Sequence, residues 1–206
     1  MFISAVTVHT GLFRPRKNKL RSSRCPLFEG TVICVKILIA YTSQAGAVRD
    51  CAQAIASNLK NHSVFLADLY KDAPSVSDFD VIILGASIRM GRIDKKMKKL
   101  VAENGEALSQ KKVGAFICCG FPERCEEYFR KSFPSDLRAS AFALECFGGE
   151  IRPDREKGIS RWIAKSMVKG ITNNNRNPDN EYVPMPAILP ENIGRFSDIV
   201  KLNCVK

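Results

Sequence analysis

From Val35 onward the chain alternates short apolar runs with longer stretches in which apolar residues recur at helical spacing. "VKILIAY" (35–41) is a continuous run rich in β-branched residues, the pattern of a strand covered on both faces. In "AVRDCAQAIASNLK", Val48, Cys51, Ala52, Ile55, Ala56 and Leu59 fall on one helical face. "SVFLADL" (63–69) predicts a second strand, and the connection "YKDAPSVSDF" leads to a third over 80–87, "DVIILGAS". A single helix is expected over 94–110, with Asp94 as N-cap and Met97, Leu100, Val101 and Leu108 turned inward. "KVGAFICCG" (112–120) reads as a fourth strand, "ERCEEYFRKSF" (123–133) as a helix and "SAFALECFGG" (140–149) as a fifth strand. Residues 150–190 break the rhythm, and "ENIGRFSDIVKL" (191–202) closes as a helix.

Five apolar strands alternating with helices predict an α/β fold with an open, doubly wound parallel sheet. In such sheets ligands bind beyond the carboxyl ends of the strands, at the point where strand order reverses. The loops 42–48, 86–93 and 119–123 should therefore meet in space and carry the function.

Their residues exclude several tenants. "YTSQAGAV" (41–48) is neither the G-x-G-x-x-G of a dinucleotide fold nor a P-loop ending in Gly-Lys-Ser/Thr. The end of the first strand lacks the clustered acids that would hold magnesium in a receiver domain. Histidine chemistry has only His9 and His62 to draw on, and His62 reads as a helix-end residue. The eight cysteines have irregular spacing and include no C-x-x-C pair, so neither zinc nor a disulfide framework is indicated, and a reducing cytoplasm suits them best. Cys118 and Cys119 read as small apolar strand residues, with a redox role for Cys119 or Cys125 as the minor alternative.

What remains in the first loop suits a phosphate. Successive backbone N–H groups at a loop and helix start cradle a dianion without any lysine, aided by the helix dipole. Tyr41, Ser43, Gly46 and Ala52 fall in register with the phosphate-loop pattern of flavodoxins, with Val48 where that family has threonine. "GASIRMGRIDKKMKKLV" resembles the corresponding segment of the menaquinone-dependent protoporphyrinogen dehydrogenases, small flavodoxin-like enzymes that use FMN. Gly85, Ala86, Ser87, Ile88, Arg89 and Gly91 match, and Met90 replaces an aromatic residue. "RWIAKSMVKGIT" followed by "EYV" is similar to the basic, apolar insert that this group carries before its last helix.

The resemblance implies a flavodoxin-like sheet of five parallel strands in the order 2-1-3-4-5, with an insert over 150–190. It implies FMN as cofactor, held by Thr42, Ser43, Gln44, Ala45, Gly46, Ala47 and Val48 at the phosphate. Around the ring it implies Ser87, Ile88, Arg89, Met90 and Gly91, with Cys119, Gly120 and Phe121 opposite. Arg49 is expected to approach the phosphate from outside. Met90 or Phe121 takes the place of the Trp or Tyr that flanks the ring in carrier flavodoxins. The implied reaction is oxidation of a porphyrinogen or similar reductant with a quinone as acceptor, and no side chain stands out as acid or base. The rival expectation is a binding or scaffold protein that keeps the fold and has lost its flavin.

Charge changes this picture in two places. The net charge is +11, to which residues 1–34 contribute six basic side chains against Glu29 alone, leaving +6 for the remainder. That first segment lacks a sustained period and is expected to be a disordered extension, arising from a gene-start error or serving as a targeting segment. Carrier flavodoxins are usually acidic, so a basic domain over 35–206 points to an enzyme meeting an anionic substrate, a quinone or a membrane. In 157–171, Ile159, Trp162, Ile163 and Met167 share one helical face, with cations mostly elsewhere. That stripe either packs on the sheet edge, the reading slightly preferred, or lies peripherally on the inner, cytoplasmic face of an anionic membrane. The polar stretch 172–180 is expected to be a loop. Nucleic acid is a poor partner, because neither basic cluster, 86–99 or 157–169, interleaves stacking aromatics.

Overall fold

The computed structural model describes residues 35–156, 158–177 and 180–204, so the expectations for residues 1–34 lie outside the described residues. Five strands, β1 (Lys36–Thr42), β2 (Ser63–Asp68), β3 (Val81–Ser87), β4 (Lys112–Cys118) and β5 (Ala143–Cys146), form one sheet. Its order is β2-β1-β3-β4-β5, as the flavodoxin resemblance implies, and every pairing is parallel, as the alternation of strands and helices predicts. Ile37 pairs with Val81 and Ile117 with Cys146, a register that brings the ends of β1, β3 and β4 to one edge.

Both faces of the sheet are covered, which is why its strands read as unbroken apolar runs. On one face Leu38, Ala40, Ile82, Leu84 and Ile117 pack against three helices. These are α2 (Lys95–Glu103), α3 (Gly105–Ser109) and α4 (Cys125–Ser132), through Met97, Val101, Leu108, Phe129 and their neighbours. A short helix α5 (Ser135–Ser140) adds Leu137 to the same layer. On the other face Ile37, Ile39, Ile83 and Phe116 meet α1 (Ala47–Asn58) and the last helix, α7 (Pro190–Asn203). Phe116 stacks on Phe147 at 4.6 Å between centroids, and Phe196 meets both rings edge-on. The insert contributes α6 (Gly158–Arg176).

Three boundaries differ from the pattern-based reading. The helix expected over 94–110 divides at Asn104, whose φ of −119° leaves the helical region; its amide caps the Leu100 carbonyl and Gly105 restarts the chain as α3. The fifth strand has four residues, since Ser140 ends α5 and Gly148–Gly149 turn away, Gly148 at φ +68°. The polar "TNNN" is helical because its amides have partners. Asn175 bonds Val183 at both its N–H and its carbonyl, and Asn174 donates to the Glu181 carbonyl. The returning chain then seals the end of β5, with Gly149 N–H donating to Ala187 and Leu189 N–H to Phe147.

Candidate functional site

At the carboxyl edge of β1, β3 and β4 lies a cavity of about 610 Å³, within the range typical of cofactor sites. One end is the loop between β1 and α1. Gly46 adopts φ +93° as the residue before α1, and Ser43 Oγ accepts the Arg49 backbone N–H at 3.2 Å. Among the described residues, the backbone N–H groups of 44–48 donate to no protein acceptor. They are the orphan donors of a helix start, concentrated in one turn. A Cβ at Gly46 would meet guanidinium nitrogens of Arg155 at 2.9 Å, Arg49 at 3.1 Å and Arg152 at 3.5 Å. Three cations thus converge on this turn. Arg152 is held there by Asp50 at 2.5 Å and by Glu150 at 2.6 Å, pairings that keep its guanidinium firmly protonated.

The opposite end is apolar and open. Arg89 and Arg92 exchange backbone hydrogen bonds of 2.8 and 3.1 Å around Met90 and Gly91, which have φ of 50° and 75°. This hairpin turn projects Met90 outward, 85% exposed. Cys119, Gly120 and Phe121 line the wall beyond β4, with Phe121 47% exposed. The insert supplies Ile151, Ile163, Ala164 and Met167. Gly149 is required at this wall: a Cβ there would lie 2.4 Å from the Cys119 carbonyl carbon and 2.7 Å from Gly120 N.

Arg89 joins the two ends. It donates to Gln44 Oε1 on the first loop and pairs with Glu156 on the insert. Gln44 Nε2 in turn reaches Tyr70 OH at 3.0 Å and Asp94 at 3.3 Å, and Tyr70 donates to Asp94 at 2.5 Å. Burial acts to raise the Asp94 carboxyl. Hydrogen bonds from Tyr70, the Lys96 N–H and Gln44 outweigh it and hold the group below its ordinary value.

Thirteen of the fifteen candidate residues named above line the cavity. Thr42 and Gly46 do not: Thr42 is buried at the end of β1 with its Oγ1 unpartnered, and Gly46 is buried within the turn. Val48 touches the cavity yet is 1% exposed, sunk among Cys51, Ala52 and Ile55. Arg152, Arg155 and Glu156 were not among the candidates. Their signal is the charge cluster "IRPDREKG" immediately after the last strand, which periodicity alone assigns to a solvated loop. The apolar stripe of α6 divides instead of packing on the sheet edge. Ile163 and Met167 line the cavity, whereas Ile159 and Trp162 are 78% and 72% exposed.

A model of the flavodoxin domain family matches residues 38–181. No curated protein matches the chain. Among solved structures, two-electron reduced Megasphaera elsdenii flavodoxin is 20% identical, covering 53% of this chain and 84% of its own at a TM-score of 0.45. Fusobacterium nucleatum flavodoxin bound to flavin mononucleotide is 13% identical over 53% of this chain and 68% of its own, TM-score 0.38. A flavoprotein in complex with FMN from Lactobacillus acidophilus is 16% identical over 55% and 93%, TM-score 0.39.

Proposed function

The chain belongs to the flavodoxin domain family, and on that premise we propose that it binds FMN noncovalently and acts as an electron-transferring oxidoreductase. The observation that carries the reading is the turn at 44–48, whose backbone N–H groups have no protein acceptor among the described residues and whose Gln44, Ala45, Ala47 and Val48 line the end of the cavity. The fit is supported by Gly46, where a side chain would fill the space that three guanidinium groups share. Charge-assisted bonds of this kind are worth about 1.5–3 kcal/mol each. The Ser43 hydroxyl accepts from Arg49 and keeps its own proton to donate.

Residues 87–91 and 119–121 would flank the flavin ring, with Phe121 as an exposed aromatic face on that wall. When bound, FMN supplies the one- and two-electron chemistry, and the protein supplies orientation and electrostatics. The Arg89 bridge to Gln44 and Glu156 ties the first loop to the insert across the site.

The proposed donor is a porphyrinogen or similar reductant and the acceptor a quinone, met at an anionic membrane surface. Its support is the match at 85–91 and the exposed Ile159 and Trp162 beside Arg161, Lys165 and Lys169. No helix of the described residues is long and apolar enough to cross a membrane. A scaffold without flavin has no specific observation in its favour.

Titration of the purified protein with FMN, followed by flavin fluorescence, tests the reading. Quenching is expected with FMN, and riboflavin should bind at least about tenfold more weakly because it lacks the phosphate. If millimolar FMN leaves both fluorescence and thermal stability unchanged, the cofactor assignment is wrong.

A further inference from the structure

Helix α2 breaks a rule of helix electrostatics. Its first five positions hold Lys95, Lys96, Lys98 and Lys99 around Met97, with no acid in the first turn. The amino end of a helix carries partial positive charge, so carboxylates stabilise it and cations do not. Asp94 caps the helix by accepting the Lys96 N–H at 2.8 Å, but its carboxyl is also taken by Tyr70 and Gln44. Met97 and Val101 are buried, and all four lysines are exposed. Arg92, in the hairpin just before them, is exposed too. Of these five cations only Lys99 makes a salt bridge among the described residues, with Glu103 at 3.5 Å. A local cost of this kind, with no compensating contact inside the molecule, points to a role outside it.

The position of the cations says what that role serves. Arg89, Met90 and Gly91 line the large cavity, and the chain runs from them through Arg92 directly into α2. Met90 holds φ at 50°, a conformation that strains a residue with a Cβ, and is 85% exposed at the hairpin tip. Phe121 lines the same cavity and is 47% exposed. Apolar side chains at a mouth, with a charged margin beside them, have the anatomy of a protein interface. A bilayer asks for a longer apolar stripe, and the exposed one is on α6 at Ile159 and Trp162. Nucleic acid asks for aromatics interleaved with the cations, and 92–99 contains none. Carboxylates on a folded protein suit separated lysine heads, and small contacts suffice for transient redox pairs.

We propose that α2 and the Met90 hairpin form the docking surface for an acidic one-electron carrier protein. Its carboxylates meet Arg92, Lys95, Lys96 and Lys98, and its redox group is brought to the mouth lined by Met90 and Phe121. The electron-transfer reading above supplies what is exchanged: the carrier is oxidised by one electron and the occupant of the cavity is reduced by one. Where the carrier docks does not depend on that occupant.

The test therefore uses the full chain without added flavin. Two acidic probes, a plant-type two-iron ferredoxin and an acidic carrier flavodoxin, are each treated with a carbodiimide, which joins carboxylates to lysines in direct contact. Peptide mass mapping should place the links of at least one probe on Lys95, Lys96 or Lys98. Their yield should fall about tenfold in about 1 M salt, where charges are screened beyond about 3 Å. Lys95→Glu combined with Lys96→Glu should lower the low-salt yield by about tenfold or more. Acids in the first turn suit the helix dipole, so this variant keeps its fold. The proposal is overturned if neither probe is joined to α2, if the links fall mainly on Lys165 or Lys169 of α6, or if the variant links as well as wild type. It is also overturned if both probes fail while phosphatidylglycerol vesicles or an oligothymidylate bind wild type and not the variant. A failed map leaves the FMN reading untouched, and a failed FMN titration leaves the map to be read by itself.

Discussion

At one end of the cavity the turn at Gly46 is ringed by guanidinium groups, and at the other Met90, Phe121 and Met167 line an open apolar mouth. The polar end is fastened: Arg152 is anchored by two carboxylates, and Gln44 sits in a network with Tyr70, Asp94 and Arg89. The apolar end has few such ties, and its shape depends on close backbone approach. The difference teaches that affinity and geometry are set in different places. On the proposed reading, electrostatics at the first loop would recognise a charged group, and backbone packing around Gly149 would shape the space for a flat one.

That division predicts unlike responses to the same substitution. Gly149→Ala should have the largest effect, because its Cβ would press on the backbone of Cys119 and Gly120, which cannot rotate away. Overpacking against backbone should cost about 2–3 kcal/mol, read as a lower urea midpoint with an unchanged slope. FMN quenching should be lost with it. Gly46→Ala meets the ends of arginine side chains instead of backbone, but forces alanine into φ +93°. The conformational cost is about 1–2 kcal/mol. FMN affinity should fall about tenfold as the guanidinium groups are displaced, while riboflavin binding stays level. Equal loss of both ligands would show that the turn does not recognise phosphate.

The two ends were also unequally legible. The five parallel strands and both core faces follow from apolar runs such as "VKILIAY" and from helical spacing such as Val48–Cys51–Ala52–Ile55, since burial leaves a periodic trace, whereas the strand order comes from the resemblance to flavodoxins. The loops 42–48, 86–93 and 119–123 could be placed because parallel topology brings strand ends together. Arg152, Arg155 and Glu156 could not. They reach the site from an insert without period, and only folding brings position 152 to Asp50. Helix α6 ran past its expected end because the asparagines at 174 and 175 bond a strand-like return seven and eight residues on, partners that propensity does not encode. Val48 shows the limit from the other side. The family pattern has threonine there, yet the side chain is in the core, so Val48→Thr must bury a hydroxyl to gain a contact. FMN should bind only about threefold tighter, with a small loss of thermal stability.

The smallest effect expected concerns the tie between the ends. The Asp94 carboxyl is held below its ordinary value when folded, so it binds fewer protons than in the unfolded chain. Its contribution is therefore fully present above the unfolded value and fades as pH falls through the folded one. The window lies on the acid side of 3.8, and neutral pH should show no change. The group is only partly buried, and solvent screening limits the contribution to roughly a few tenths of a kcal/mol. Asp94→Asn keeps an acceptor for Tyr70 and removes the titration, so stability should lose this slope while the Gln44 contact survives. If the slope persists in the variant, another carboxylate sets it. If FMN affinity also falls at neutral pH, Asp94 acts on the first loop by charge, and the fastening of the polar end is electrostatic instead of geometric.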